Sequence, residues 1–170
     1  MTVVEQILDL LDTLEKKPWR ILIDGPSGSG KTTLANQLQE RTGATVLHLD
    51  DMYAGWEGMA EGSGTAGELL AGTRTSFRRW DWEQERWGDE VTPDPTSNWI
   101  IEGCGAATKS SVTQADLVVW AETDPEVARQ RGIDRDGPSF RRWWDAWHRQ
   151  EVDHWQENDP RSLADLVVQT

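Results

Sequence analysis

The clearest chemistry in the chain lies in eight consecutive residues, Gly25-Pro26-Ser27-Gly28-Ser29-Gly30-Lys31-Thr32, with Thr33 following. Glycine at the first and sixth places, then lysine, then a hydroxyl residue, is the P-loop pattern. The glycines let the backbone curl so that successive N–H groups point inward at phosphate oxygens. The positive end of the helix that follows faces the same anion. Lys31 can reach the β- and γ-phosphates of a nucleotide, and the Thr32 hydroxyl can ligand Mg²⁺. Gly25, Ser27, Gly28, Ser29, Gly30, Lys31, Thr32 and Thr33 are therefore the expected ATP-binding residues.

Two further acidic sites end apolar runs. Leu47-His48-Leu49 leads into Asp50-Asp51, and Trp99-Ile100-Ile101 leads into Glu102-Gly103. Glu102 is placed to serve Mg²⁺ opposite Thr32, and Asp50 or Asp51 could take the proton from an acceptor hydroxyl. Arg129, Arg131, Arg135, Arg141 and Arg142 form a local basic cluster. Guanidinium forks suit the spread charge of a phosphoryl group in transfer; Arg131 and Arg135 are the expected pair, and Arg141 and Arg142 read as a solvated face. Between the two acidic sites lie Arg74, Trp80, Asp81 and Trp82. Trp56, Trp80 or Trp82 could stack on a ring, Asp81 could accept acceptor hydroxyls, and Arg74 could meet an anionic acceptor; packing against the sheet is the alternative for each tryptophan. Trp143, Trp144, Trp147 and Trp155 have the spacing of a buried helical stripe. His48 precedes the active edge within an alternating strand, and His148 and His154 have no partner cysteines at metal spacing; none is a catalytic choice.

These residues need elements to hold them. Trp19–Asp24 reads as a buried strand, followed by strands at Ala44–Leu49, Asn98–Ile101, Asp116–Ala121 and Ala164–Val168. Amphipathic spacing predicts helices over Met1–Lys17 and Lys31–Arg41, then over Pro125 to about Arg135 and Ser139 to about Glu157, with Asp136-Gly137-Pro138 as the break. Alternation of strand and helix implies an α/β fold, a parallel sheet covered on both faces, with ligands at the carboxyl ends of the strands. The glycine-rich Tyr53–Gly72 tract reads as a mobile loop over the sheet.

The P-loop, Asp50-Asp51-Met52-Tyr53, Ile101-Glu102-Gly103, and Thr123-Asp124 before an arginine-bearing helix together resemble the uridine kinase family of P-loop nucleoside and small-metabolite kinases. The resemblance implies a three-layer α/β/α fold with five parallel strands in the order 2-3-1-4-5 and a short arginine-bearing lid at about residues 129–142. It also implies Asp50 as general base, Tyr53 lining the acceptor pocket, Glu102 serving the metal, and Arg131 and Arg135 in the lid. Residues 1–170 would form a single kinase domain, with an acceptor-binding insertion at about 53–97; that insertion does not reproduce the family's sugar-binding pattern.

Composition narrows the choices. The chain has 170 residues and a formal net charge of −13, which argues against broad binding to nucleic acid or an anionic membrane. One cysteine suits a reducing compartment, and no apolar run is long enough to cross a bilayer, so a soluble cytoplasmic protein is expected. The expected activity is transfer of the ATP γ-phosphoryl group, with Mg²⁺, to a small-molecule hydroxyl, nucleoside-like by the resemblance. A kinase for a non-nucleoside metabolite or antibiotic, or a non-catalytic nucleotide switch, are the alternatives.

Overall fold

A computed structural model describes the backbone of residues 1–170 and every side chain except that of Phe140. The chain begins with helix α1 (Val3–Asp12), shorter than the predicted Met1–Lys17. Its start is set by a capping box in which Thr2 Oγ1 accepts from Glu5 N–H and the Glu5 carboxylate accepts from Thr2 N–H. Strand β1 (Arg20–Asp24) then feeds the glycine loop and helix α2 (Lys31–Thr42), which stops at Gly43. Strand β2 (Thr45–His48), helix α3 (Met59–Ala71), strands β3 (Phe77–Asp81) and β4 (Arg86–Val91), and strand β5 (Trp99–Glu102) follow. Strand β6 (Leu117–Glu122) leads to helices α4 (Pro125–Asp136), α5 (Pro138–Asn158) and α6 (Pro160–Leu163), and strand β7 (Leu166–Gln169) completes the order.

Five strands make one parallel sheet in the order β2-β5-β1-β6-β7. This is the expected 2-3-1-4-5, because β3 and β4 pair only with each other. Alternation along the strands sorts the core onto two faces. Ile21, Ile23, Ile100 and Val119 pack with Ile7, Leu11, Leu34 and Leu38 of α1 and α2. Leu22, Ile101 and Val118 turn the other way, toward Met59, Ala66 and Leu69 of α3 and Trp147 of α5. The result is a three-layer P-loop NTPase fold. No helix among the described residues is long and apolar enough to cross a membrane.

Two local readings are corrected. The Tyr53–Gly72 tract is not a mobile loop: most of it is α3, with Met59, Gly62, Ala66 and Leu69 buried at helical spacing. Gly62 is needed for close approach, since a Cβ there would lie 2.5 Å from Cδ1 of the buried Tyr53 ring. The α5 tryptophans are not a uniform core stripe either. Trp147 is buried, whereas Trp143, Trp144 and Trp155 are half-buried, and Trp144 stacks on His148.

Candidate active site

The loop after β1 places Ser27, Gly28, Gly30, Lys31, Thr32 and Thr33 along one wall of a cleft of about 720 Å³. Gly28 has φ +80°, and a Cβ on it would fall 2.0 Å from the Ala128 carbonyl oxygen of α4, so glycine is the residue that fits. Gly25 begins the loop and Ser29 lies fully buried beneath it. The Lys31 ammonium is buried and donates to the Pro26 carbonyl at 2.8 Å. Burial alone would lower its pKa, but Cys104, Glu102, Asp24 and Glu151 around it more than offset this and leave it raised.

Register explains the acidic centre. His48 and Glu102 are Cα partners at the ends of adjacent parallel strands, so their side chains meet. Glu102 Oε1 lies 2.6 Å from His48 Nδ1 and accepts from the Thr32 hydroxyl at 3.0 Å. The Glu102 hydrogen bond is the main cause of a raised His48 pKa, opposed by burial. Two hard oxygens, on Thr32 and Glu102, therefore converge beside the loop, a donor set that fits Mg²⁺.

Asp50 and Asp51 occupy a short 3-10 turn after β2. Asp51 pairs with Arg79 at 3.4 Å, whereas the Asp50 carboxyl lines the cleft and bonds no other described residue. Desolvation among the cleft walls, and then the Glu102 charge, raise the Asp50 pKa above 3.8, while Lys31, Arg135 and His48 oppose the shift. The Trp82 indole N–H donates to the Asp50 main-chain carbonyl at 2.8 Å. From there a wall of edge-to-face rings runs through Trp56 (5.2 Å from Trp82) and Trp147 (6.1 Å) to Tyr53 (4.8 Å). Tyr53 gives this wall its ring but not its hydroxyl, which donates to the Cys104 carbonyl at 2.5 Å.

Arg131 and Arg135 of α4 line the same cleft. Arg131 donates to the Gly28 carbonyl at 3.4 Å, and Arg135 pairs with Asp136 at 2.9 Å. The structure does not bring Arg74 or Asp81 to the cleft. Arg74 is exposed and pairs with Glu68 at 2.6 Å, and the Asp81 carboxylate accepts from Glu83 and Gln84 N–H, closing the β3–β4 turn. Sequence reasoning set His48 and His154 aside, read Trp147 only as core, and did not single out Asp24 or Glu151. The signal for three of them was present: 147, 151 and 154 fall on one helical face.

Comparison with known proteins agrees with this fold. A cytidylate kinase of Archaeoglobus fulgidus is 26% identical over 175 residues, covering 88% of this chain and 84% of that one. A structure from Bacillus stearothermophilus, identified as a possible uridine kinase, superposes with a TM-score of 0.64 at 24% identity, covering 96% of both chains. Shikimate kinase of Acinetobacter baumannii in complex with shikimate gives a TM-score of 0.55 at 20% identity, covering 95% of this chain and 87% of that one. The fold is shared with P-loop kinases, and residues 21–156, which run from β1 through the cleft and into α5, match the model of the AAA domain family, to which this chain therefore belongs.

Proposed function

We propose that this chain is an ATP-dependent kinase that transfers the γ-phosphoryl group to a hydroxyl of a small, nucleoside-like acceptor. The observation that carries this reading is the placement of the Lys31 loop and the Asp50 carboxylate, which has no direct partner among the described residues, on one cleft. Residues 1–170 act as one kinase domain. Residues at about 53–97 form the acceptor side, and those at about 129–142 form the lid, within which the Phe140 side chain lies outside the described residues.

Gly25, Ser27, Gly28, Ser29, Gly30, Lys31, Thr32 and Thr33 hold the triphosphate of ATP, with backbone amides and Lys31 balancing its charge. Thr32 and Glu102 would hold Mg²⁺, which when bound neutralises charge on the β- and γ-phosphates. Asp50 orients the acceptor hydroxyl and takes its proton as the acceptor oxygen bonds to the γ-phosphorus. The bond from that phosphorus to the β–γ bridging oxygen breaks, and ADP leaves. Arg131 and Arg135 stabilise the charge spread over the moving phosphoryl group, and closure over it excludes water. Trp56 and Trp82, backed by the buried rings of Trp147 and Tyr53, offer a flat acceptor its stacking surface. Arg74 and Asp81 have no place in this scheme. The likeness to a possible uridine kinase supports a nucleoside-like hydroxyl acceptor, and the likeness to a cytidylate kinase supports recognition of a nucleobase.

The test is an ADP-release assay with Mg-ATP across nucleosides, sugars and cofactor precursors, repeated with Asp50→Asn. Acceptor-dependent turnover is expected, and the variant should lose about 10²- to 10⁴-fold in kcat while binding ATP nearly as before. Full activity in Asp50→Asn would remove Asp50 from the role, and ATP hydrolysis indifferent to every acceptor would favour the switch reading.

A further inference from the structure

Helix α5 makes contacts that the transfer step leaves unused. Glu151 is 1% exposed, and its Oε2 accepts from Ser27 N–H at 2.9 Å, inside the phosphate loop. Three residues on, His154 Nε2 lies 2.8 Å from Asp24 Oδ2, at the loop's root. The proton on this histidine can be assigned from its neighbours. Lys109 N–H donates to Asn158 Oδ1 at 3.0 Å, which turns the Asn158 amide nitrogen toward His154 Nδ1 at 3.1 Å. Nδ1 therefore accepts, and Nε2–H donates to Asp24. Asp24 also receives the N–H groups of Gly25, Gly105 and Ala107. One helical face thus grips the loop at its root and again at Ser27.

We propose that Glu151 is a positioning residue that keeps the phosphate loop in its nucleotide-receiving shape through Ser27 N–H, with His154 anchoring the root. This rests on the nucleotide-binding reading above. A buried carboxylate is costly unless hydrogen-bonded; the strongest donor to this one is the loop amide of Ser27, beside the weaker Cys104 thiol at 3.9 Å on the same oxygen and His148 Nδ1 at 3.7 Å from Oε1. A loop with glycine at 25, 28 and 30 has much backbone freedom to lose on binding. A fixed acceptor on Ser27 N–H removes part of that freedom before the nucleotide arrives, which is pre-organisation. Gln150, beside Glu151, accepts from Met59 N–H at 3.1 Å and donates to the Trp56 carbonyl at 2.6 Å. The strut that shapes the loop therefore also fixes the start of the acceptor side.

The test titrates Mg-ADP calorimetrically into the full chain carrying Glu151→Gln, Glu151→Ala or, as a control, the exposed Asp153→Ala of the same helix. Glutamine keeps an oxygen for Ser27 N–H, and alanine does not. Alanine should weaken binding by about tenfold or more, and glutamine should stay within about threefold of the parent. Asp153→Ala should leave binding unchanged, with every titration run well below each variant's melting temperature. Glu151→Leu, which fills the space without an acceptor, takes the place of alanine should that variant not fold. Binding as tight as the parent's in the alanine or leucine variant overturns the proposal, because a packing role alone would lower only the melting temperature. Tighter binding overturns it equally, by showing the carboxylate competing with phosphate for the loop. A parent chain that takes up no Mg-ADP overturns the nucleotide reading itself, an outcome distinct from variants that merely match a binding parent.

Discussion

Asp50 and Asp51 are neighbours in sequence with unlike surroundings. The Asp51 charge is met by Arg79, and the Asp50 charge is met by no direct partner among the described residues. A general base must be ionised, unencumbered and near the proton it takes, so the geometry favours Asp50. Its pKa is raised by desolvation and by Glu102, so its ionised form is lost as pH falls through a value above 3.8. The acid limb of a kcat/KM profile should accordingly lie above 3.8, and a limb at or below 3.8 would contradict this assignment. On this exposed carboxylate the raised pKa makes only a small, screened contribution to stability, present at low pH and lost as pH rises through the folded value. Asp50→Asn should therefore melt no lower than the parent at pH 7, which a thermal scan checks. Sequence alone could not separate the two aspartates, because Arg79 arrives from a hairpin that periodicity did not announce. The His48–Glu102 contact was hidden for a similar reason: it comes from strand register, which pairs residues 54 apart in the chain.

At the scale of elements, spacing read the strands of the main sheet and helices α2, α4 and α5 well, because each has a single apolar period or a clear stop signal. It failed at α3, where glycines normally signal a loop. Here one of them, Gly62, makes room for the Tyr53 ring. Gly62→Ala should push that ring or the helix aside and cost about 1–3 kcal/mol, measured by denaturant unfolding, despite alanine's better helix propensity. Gly64 and Gly67 on the same helix have open space around them. Alanine there should be neutral or stabilising by about 1 kcal/mol, so a uniform response at all three positions would refute the packing argument.

Across the whole molecule, a charge of −13 coexists with an anion site because Lys31, Arg131 and Arg135 gather on one cleft. Binding there should report on global stability. At about 100 times its dissociation constant, Mg-ATP should stabilise the fold by about 2.7 kcal/mol, a melting shift on the order of 5–10 °C for a chain of this length. The shift should vanish in Lys31→Ala, and a shift that persists there would place nucleotide binding elsewhere.

The β3–β4 hairpin lends no strand to the parallel sheet, yet its tip holds the main-chain oxygen of Asp50 through Trp82. Under the proposed function, the phosphate-holding loop and the acceptor-facing surface are thus built from separable pieces of backbone. Under that proposal, reshaping the turn at Trp82–Glu85 should retune what is accepted while leaving the phosphate loop as it is. Diversification by exchange of one small ribbon is the freedom this architecture leaves open.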